Sequence, residues 1–232
     1  MLKPKQKITS KEINRDPFLE TIYAVKEHIN SKKQQYIKIG ISALSVILLL
    51  FFLNQNSKSN AMEAEFGLSI GMVYLEKGDL QNAMLQFQQI IDEYSNTAAG
   101  YGSSFYIGKI HFDKDEYDLA LPYLERSISR KNNDFINSSA YNALAEIYVN
   151  KNQFDKAIDS QKKSINYINS ASGVAISRLK LGKFYLLNGD KDIAKNLLEE
   201  VSNEHSSNID IKNEISYLSG LILSLEVDGI KI

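Results

Sequence analysis

Cysteine is absent from the 232 residues. That excludes a disulfide framework and a lipidated Cys anchor, and it leaves the redox compartment open. Histidine is scarce: His28, His111 and His205 are scattered along the chain. No His-Glu-x-x-His string, no Gly-x-x-x-x-Gly-Lys-Ser/Thr loop and no paired metal ligands occur. One string does have catalytic spacing. Gly67-Leu68-Ser69-Ile70-Gly71 matches a nucleophile elbow, but an elbow needs a strand before it and a helix after it. Here the string falls inside a predicted helix, where Gly71 is explained by helix packing. The acidic run Asp113-Lys114-Asp115-Glu116 reads as a solvated turn, because a cation site needs more oxygen ligands at regular offsets. An enzyme is therefore not expected, nor a cofactor, a metal or a small-molecule substrate.

Excess positive charge is also missing from most of the chain. Residues 61–232 carry seventeen Lys/Arg against twenty-four Asp/Glu, which gives no reason to expect nucleic acid. Residues 1–60 carry ten against four. Between these regions charge vanishes altogether. Ile39 to Leu53, IGISALSVILLLFFL, has only Ser42 and Ser45 as polar side chains, and Asn54 to Ser57 extend the uncharged run to nineteen residues. A hydrocarbon core about 30 Å thick needs about 20 such residues, so residues 36–56 are expected to form a transmembrane helix. The alternatives are a buried core helix and the apolar part of a signal peptide. A 38-residue leader is long for a signal, and a core helix would normally keep a polar face. Lys32, Lys33 and Lys38 precede the run, while Lys58, Glu63 and Glu65 follow it. Basic residues stay on the cytoplasmic side. The expected arrangement is a single-pass membrane protein with its N-terminus cytoplasmic and everything after about residue 56 outside.

Met1 to Arg15 is Lys-rich and reads as a disordered tail. Asp16-Pro17 is a helix start, with Asp as N-cap and Pro at the first helical position. Phe18, Ile22, Val25 and Ile29 then fall at helical spacing and define an amphipathic helix of about 18 residues. It fits a helix lying on the membrane surface, one running on into the span, or one docking a cytoplasmic partner. Residues 1–35 thus form a cytoplasmic segment, 36–56 the span and 57–232 an extracytoplasmic domain. Residues 54–60 read as the polar linker that leads into the last.

Four alanines, Ala83, Ala120, Ala157 and Ala194, recur at intervals of 37 residues. Twelve residues before each stands a small residue: Gly71, Gly108, Ala145, Gly182. Nine before stands Tyr74, His111, Tyr148 or Tyr185, and five before stands Gly78, Asp115, Asn152 or Gly189. Three before stands Leu80, Tyr117, Phe154 or, as a departure, Lys191. Each unit is then a pair of helices, A and B. The small residues sit where A and B cross closely, the aromatic fills the gap between them, and Gly, Asn or Asp tolerates the left-handed backbone that ends helix A.

This pattern resembles the tetratricopeptide repeat, over about residues 61–204. The spacing places helices A at about 61–77, 98–113, 135–150 and 172–188, and helices B at about 79–94, 116–130, 153–168 and 190–204. A last helix over 210–226 caps the open end. Pro122 is harmless if its helix starts near Leu119 and kinks it otherwise. The fold class expected is all-α: a single transmembrane helix followed by an α-solenoid of about four helix pairs plus the cap.

The resemblance implies a concave face lined by helices A. Its groove positions would be Leu68, Met72 and Leu75, then Phe105, Lys109 and Phe112, then Asn142, Glu146 and Val149, then Leu179, Lys183 and Leu186. This is an apolar strip dotted with single charges of both signs. An apolar or amphipathic segment of a protein partner suits it better than a charged C-terminal peptide. The cap or a second copy of the chain could instead cover part of it. The whole arrangement also resembles the YfgM-like family of ancillary SecYEG translocon subunits. That resemblance implies translocon components, periplasmic chaperones or translocated clients as partners. The competing expectation is a structural scaffold of an envelope complex, for cell division or outer-membrane assembly.

Overall fold

The computed structural model describes residues 17–130, 133–205 and 209–227, and these contain ten helices and no strand. The expected disordered tail and the Asp16 cap lie outside the described residues. Residues 1–58 and 59–232 form two compact units.

The first unit holds α1 (Pro17–Ser31) and the beginning of α2 (Lys33–Glu76). Pro17 opens α1, where its missing N–H costs nothing. A single residue, Lys32, separates the two helices, so the reading of α1 as running straight into the span is not met. Lys32 N–H donates to the His28 carbonyl (3.2 Å) and Tyr36 N–H to the Lys32 carbonyl (3.1 Å). The His28 and Tyr36 rings meet edge to face at 6.3 Å. The whole apolar run lies in α2, which is long and apolar enough to cross a membrane. From Tyr36 to Leu53 every side chain is exposed. Ser45 Oγ donates to the Ile41 carbonyl at 2.9 Å, so this hydroxyl needs no outside partner.

One boundary requires correction. Residues 54–60, read as a polar linker, are helical, and α2 continues through them to Glu76. The segment contains no Gly or Pro, and extending an existing helix costs far less than starting a new one. Ser59 Oγ donates to Glu63 Oε1 one turn on (3.3 Å).

The second unit begins in the last part of α2 and continues through α3 (Leu80–Glu93), α4 (Ala98–Asp113), α5 (Tyr117–Ser127), α6 (Asp134–Asn150), α7 (Phe154–Ile165), α8 (Ala171–Leu187), α9 (Lys191–Glu204) and α10 (Ile209–Val227). The 37-residue register is visible in the backbone. Gly78, Asp115, Asn152 and Gly189 all have positive φ, between 56° and 90°. At each, the residue itself donates to the carbonyl three back, and the next residue donates to the carbonyl five back. Gly78 thus bonds to Leu75 (3.0 Å) and Asp79 to Tyr74 (2.9 Å), and Gly189 to Leu186 (3.1 Å) and Asp190 to Tyr185 (2.8 Å). This paired closure is the Schellman motif. The residue two beyond the turn, Leu80, Tyr117, Phe154 or Lys191, opens helix B in every repeat. Lys191 therefore holds the same backbone place although it is not apolar.

The four repeat alanines are fully buried. Opposite them, a side chain at Gly71 would collide with the Phe87 ring, and one at Gly108 would come within 2.8 Å of Leu124 Cγ. Gly67 and Gly71, the elbow-like pair, are thus contact points against α3. Helices A start on side-chain caps: Thr97 accepts from Gly100 N–H (3.1 Å), Asn133 from Ile136 N–H (2.8 Å) and Ser170 from Gly173 N–H (3.2 Å).

Two helices B end early, at Ser127 and Ile165 rather than near 130 and 168. Ser127 and Ser129 hydroxyls donate to the Leu124 and Arg126 carbonyls, each at 2.7 Å, and compete for the last turn of α5. After α7 the chain tightens into bonds to the carbonyl three back, from Asn166 to Ile168. Pro122 lies inside α5, which starts at Tyr117, so the harmless placement is not met. Having no N–H, it cannot bond the Asp118 carbonyl, and α5 is the shortest helix B at 11 residues.

Candidate protein-binding face

Successive helices A lie beside one another in the second unit: α4 packs on α6, and α8 on α10. The twelve expected groove residues lie on the end of α2, α4, α6 and α8, three to each, and their depth depends on the position within the repeat. Met72, Lys109, Glu146 and Lys183 form the open column, the first exposed and the others half-buried. Leu75, Phe112, Val149 and Leu186 run beside it, one helical turn further on. Leu75, Phe112 and Val149 are partly buried against the core clusters, and Leu186 is buried. Leu68, Phe105, Asn142 and Leu179 form the third column. Leu68 is half-buried between α3 and α4, and Phe105 is only 2% exposed.

Phe105 therefore needs correction as a groove position. It is packed between α5 and α6 among Leu124, Ile136 and Ala140, with the Tyr106 ring edge-on at 5.2 Å. Leu179 and Leu186 are likewise core, sharing a cluster with Ile211, Leu218 and Ile222 of α10. The terminal helix covers them because the last helix A has no following repeat to pack against.

Between α6, α8 and α10 lies a hollow of about 410 Å³ lined by Glu146, Ile176, Leu179, Lys180, Lys183, Glu214, Tyr217 and Leu218. Leu179 and Leu218 supply an apolar floor. Lys180 Nζ bridges two residues of α6, Glu146 Oε1 at 2.6 Å and Asn142 Oδ1 at 2.9 Å. Lys183 Nζ stands 5.8 Å over the Tyr217 ring, a cation–π contact joining α8 to α10. The structure thus brings Glu146, Leu179 and Lys183 together in one hollow. Met72 and Lys109 stand elsewhere on the face, and Lys109 is held by its neighbours Asp113 and Phe112.

Sequence reasoning missed Ile176, Lys180, Glu214, Tyr217 and Leu218. Ile176 and Lys180 have a legible signal, since they lie three residues before and one after Leu179 on the same helix. The α10 residues do not: the cap was expected to cover the open end, and which side chains it turns inward depends on how it docks.

Asp113, Asp115 and Glu116 each have a structural partner. Asp113 pairs with Lys109, Asp115 accepts from Tyr117 Oη (2.8 Å), and Glu116 Oε2 meets His111 Nδ1 (2.6 Å). His111 also stacks on Tyr123 at 6.0 Å, filling the aromatic slot of its repeat.

No curated protein matches the sequence. The fold is similar to crystal structures of MamA. One is 20% identical, over 69% of this chain and 85% of that one, with a TM-score of 0.52. A second is 21% identical, over 64% and 76%, with a TM-score of 0.51. MamA from residue 41 to its end, from Desulfovibrio magneticus RS-1, is 22% identical over 62% and 77%, with a TM-score of 0.49. At such identities the likeness is one of fold. The sequence profile of a tetratricopeptide repeat-like domain matches residues 39–165, and that of a tetratricopeptide repeat matches 177–208. Four buried alanines and four left-handed turns in one register give the same answer in three dimensions: the chain belongs to the tetratricopeptide repeat-like family, and it is a protein–protein interaction module.

Proposed function

We propose that the chain is a membrane-anchored adaptor of protein translocation. In this reading residues 1–35 are cytoplasmic, 36–56 span the inner membrane and 57–232 face the periplasm. The repeat unit holds an apolar or amphipathic segment of a translocon subunit, a periplasmic chaperone or a translocated client. The observation that carries this is the hollow between α6, α8 and α10, with an apolar floor and a rim of Glu146, Lys180, Lys183 and Glu214. Such a site takes an apolar side chain and offers the flanking peptide charges of both signs, so it selects for an anchor residue more than for net charge. The basic flank before the apolar run supports the orientation. The resemblance to the ancillary translocon family supports the setting.

Photo-crosslinking in intact cells tests it. A photoreactive residue at Ile176 on the rim should trap translocon subunits or exported chains, and one at Asp192 on α9 should not. Tyr217→Ala should lower the Ile176 yield by about tenfold or more, in line with losing an aromatic anchor worth about 2 kcal/mol, and leave circular dichroism unchanged. Undiminished crosslinks in the variant would remove the hollow from the binding surface. A fixed stoichiometric complex without translocon subunits would favour the envelope scaffold.

A further inference from the structure

We propose that α1 lies in the headgroup layer of an anionic membrane, with its apolar face immersed and its acids turned to water. The inference rests on the reading that α2 crosses the bilayer. None of the residues of α1 is buried by the protein. Phe18, Ile22, Val25 and Ile29 fall within an arc of about 60° at about 100° per residue, and all are exposed, from 45% at Ile22 to 70% at Phe18. Glu20 and Glu27 lie on the opposite side of the helix, about half a turn from the centre of that arc. Lys26 is on its flank, where a long stem can lie along acyl chains and deliver the ammonium to phosphate. An exposed apolar face with a lysine on its flank and the acids on the far side suits a helix lying at the membrane interface.

The junction with α2 fixes the depth. Only Lys32 separates the two helices, and Tyr36 stands three residues before the uncharged run that opens at Ile39. Tyr at this level is the usual headgroup marker, and here it closes an open apolar elbow. That hollow, of about 640 Å³, is lined by Thr21, Ala24, Val25, His28, Ile29 and Tyr36. Lys32, Lys33 and Lys38 follow in the sequence at the junction, so this end of α1 combines apolar walls with nearby positive charge, which suits an anionic lipid. The apolar face ends at Ile29, ten residues before the apolar run begins, so a spanning α2 would hold it close to the bilayer.

The lack of native cysteine makes the test direct. The full chain, carrying a single Val25→Cys, Glu27→Cys or Leu49→Cys, would be labelled with an environment-sensitive fluorophore. Each would be reconstituted into vesicles of phosphatidylcholine and phosphatidylglycerol. The label at position 25 should emit to the blue and be quenched several-fold less by aqueous iodide than the label at 27, with position 49 protected throughout. If 49 is protected while 25 and 27 are quenched alike, α1 is not in the lipid and the inference falls. If 49 is itself quenched, the spanning reading fails first. If protection at 25 disappears on dilution of protein into excess lipid, the face is covered by a second copy, which also overturns the proposal.

Discussion

Leu50 of α2 and Leu124 of α5 have the same side chain and opposite surroundings. Leu50 is 60% exposed in the first unit, and Leu124 is fully buried in the second. The contrast extends along both units. In the apolar run of α2, apolar residues occupy every face of the helix and all are exposed. In the second unit they recur at repeat spacing, and core residues such as Phe87, Leu124 and Phe184 are fully buried. A fully buried Leu or Phe gains about 1.5–3 kcal/mol over an exposed one. The repeat unit obtains that gain from itself, whereas the apolar run, exposed throughout its own unit, would have to obtain it from outside that unit. One composition therefore supports two kinds of stability, one intrinsic and one borrowed.

The sharpest way to break this comparison is to truncate one Phe from each unit. Phe87 is fully buried against Gly71 and stacks on Tyr106 at 5.2 Å. Phe87→Ala should cost about 3–5 kcal/mol. Phe52→Ala, at a position 70% exposed, should leave the thermal unfolding of the detergent-solubilised chain unchanged. Equal shifts in melting followed by circular dichroism would mean that the apolar run is part of the folded core.

A smaller effect sharpens the repeat half of the comparison. Ala157→Leu adds a side chain at a fully buried crossing and should cost about 1–3 kcal/mol. Asp159, two residues on, is exposed and paired with Lys163 at 2.6 Å. Its replacement by Ala should change stability by about 0.5 kcal/mol or less. Equal shifts of the denaturant midpoint would show that the 37-residue register is misplaced.

The smallest effect appears only in alkali. Burial, and then the hydrogen bond to Glu125, push the Tyr148 phenol up from 10.0 to about 12. A phenol raised on folding stabilises the native state below its unfolded pKa, and that contribution is lost as pH rises through the folded one. Stability should thus decline between about pH 10 and pH 12. Tyr148→Phe should flatten this window and leave the slope near neutrality alone. An unchanged alkaline slope in the variant, measured by denaturation at stepped pH, would assign the decline to other groups.

The sequence by itself determined the repeat register, the helix pairs and the separation of an apolar run from a repeat unit. These are local matters. A Gly or Asn in the left-handed turn and a small residue where helices cross are demanded by backbone geometry wherever the chain goes next. It also marked Glu146, Leu179 and Lys183 as facing one side. Tertiary structure decided the rest. Gln161 of α7 is fully buried and its side-chain amide donates to the Ser177 carbonyl at 3.3 Å, because α7 is enclosed by the helices it packs against. Phe105 became core and Tyr217 became a wall of the hollow. Nothing in their local patterns distinguishes these outcomes, since helical periodicity gives the face on which a side chain lies but not the neighbour that will cover it. That depends on how the next helix docks, and docking is set by packing between residues far apart in the chain.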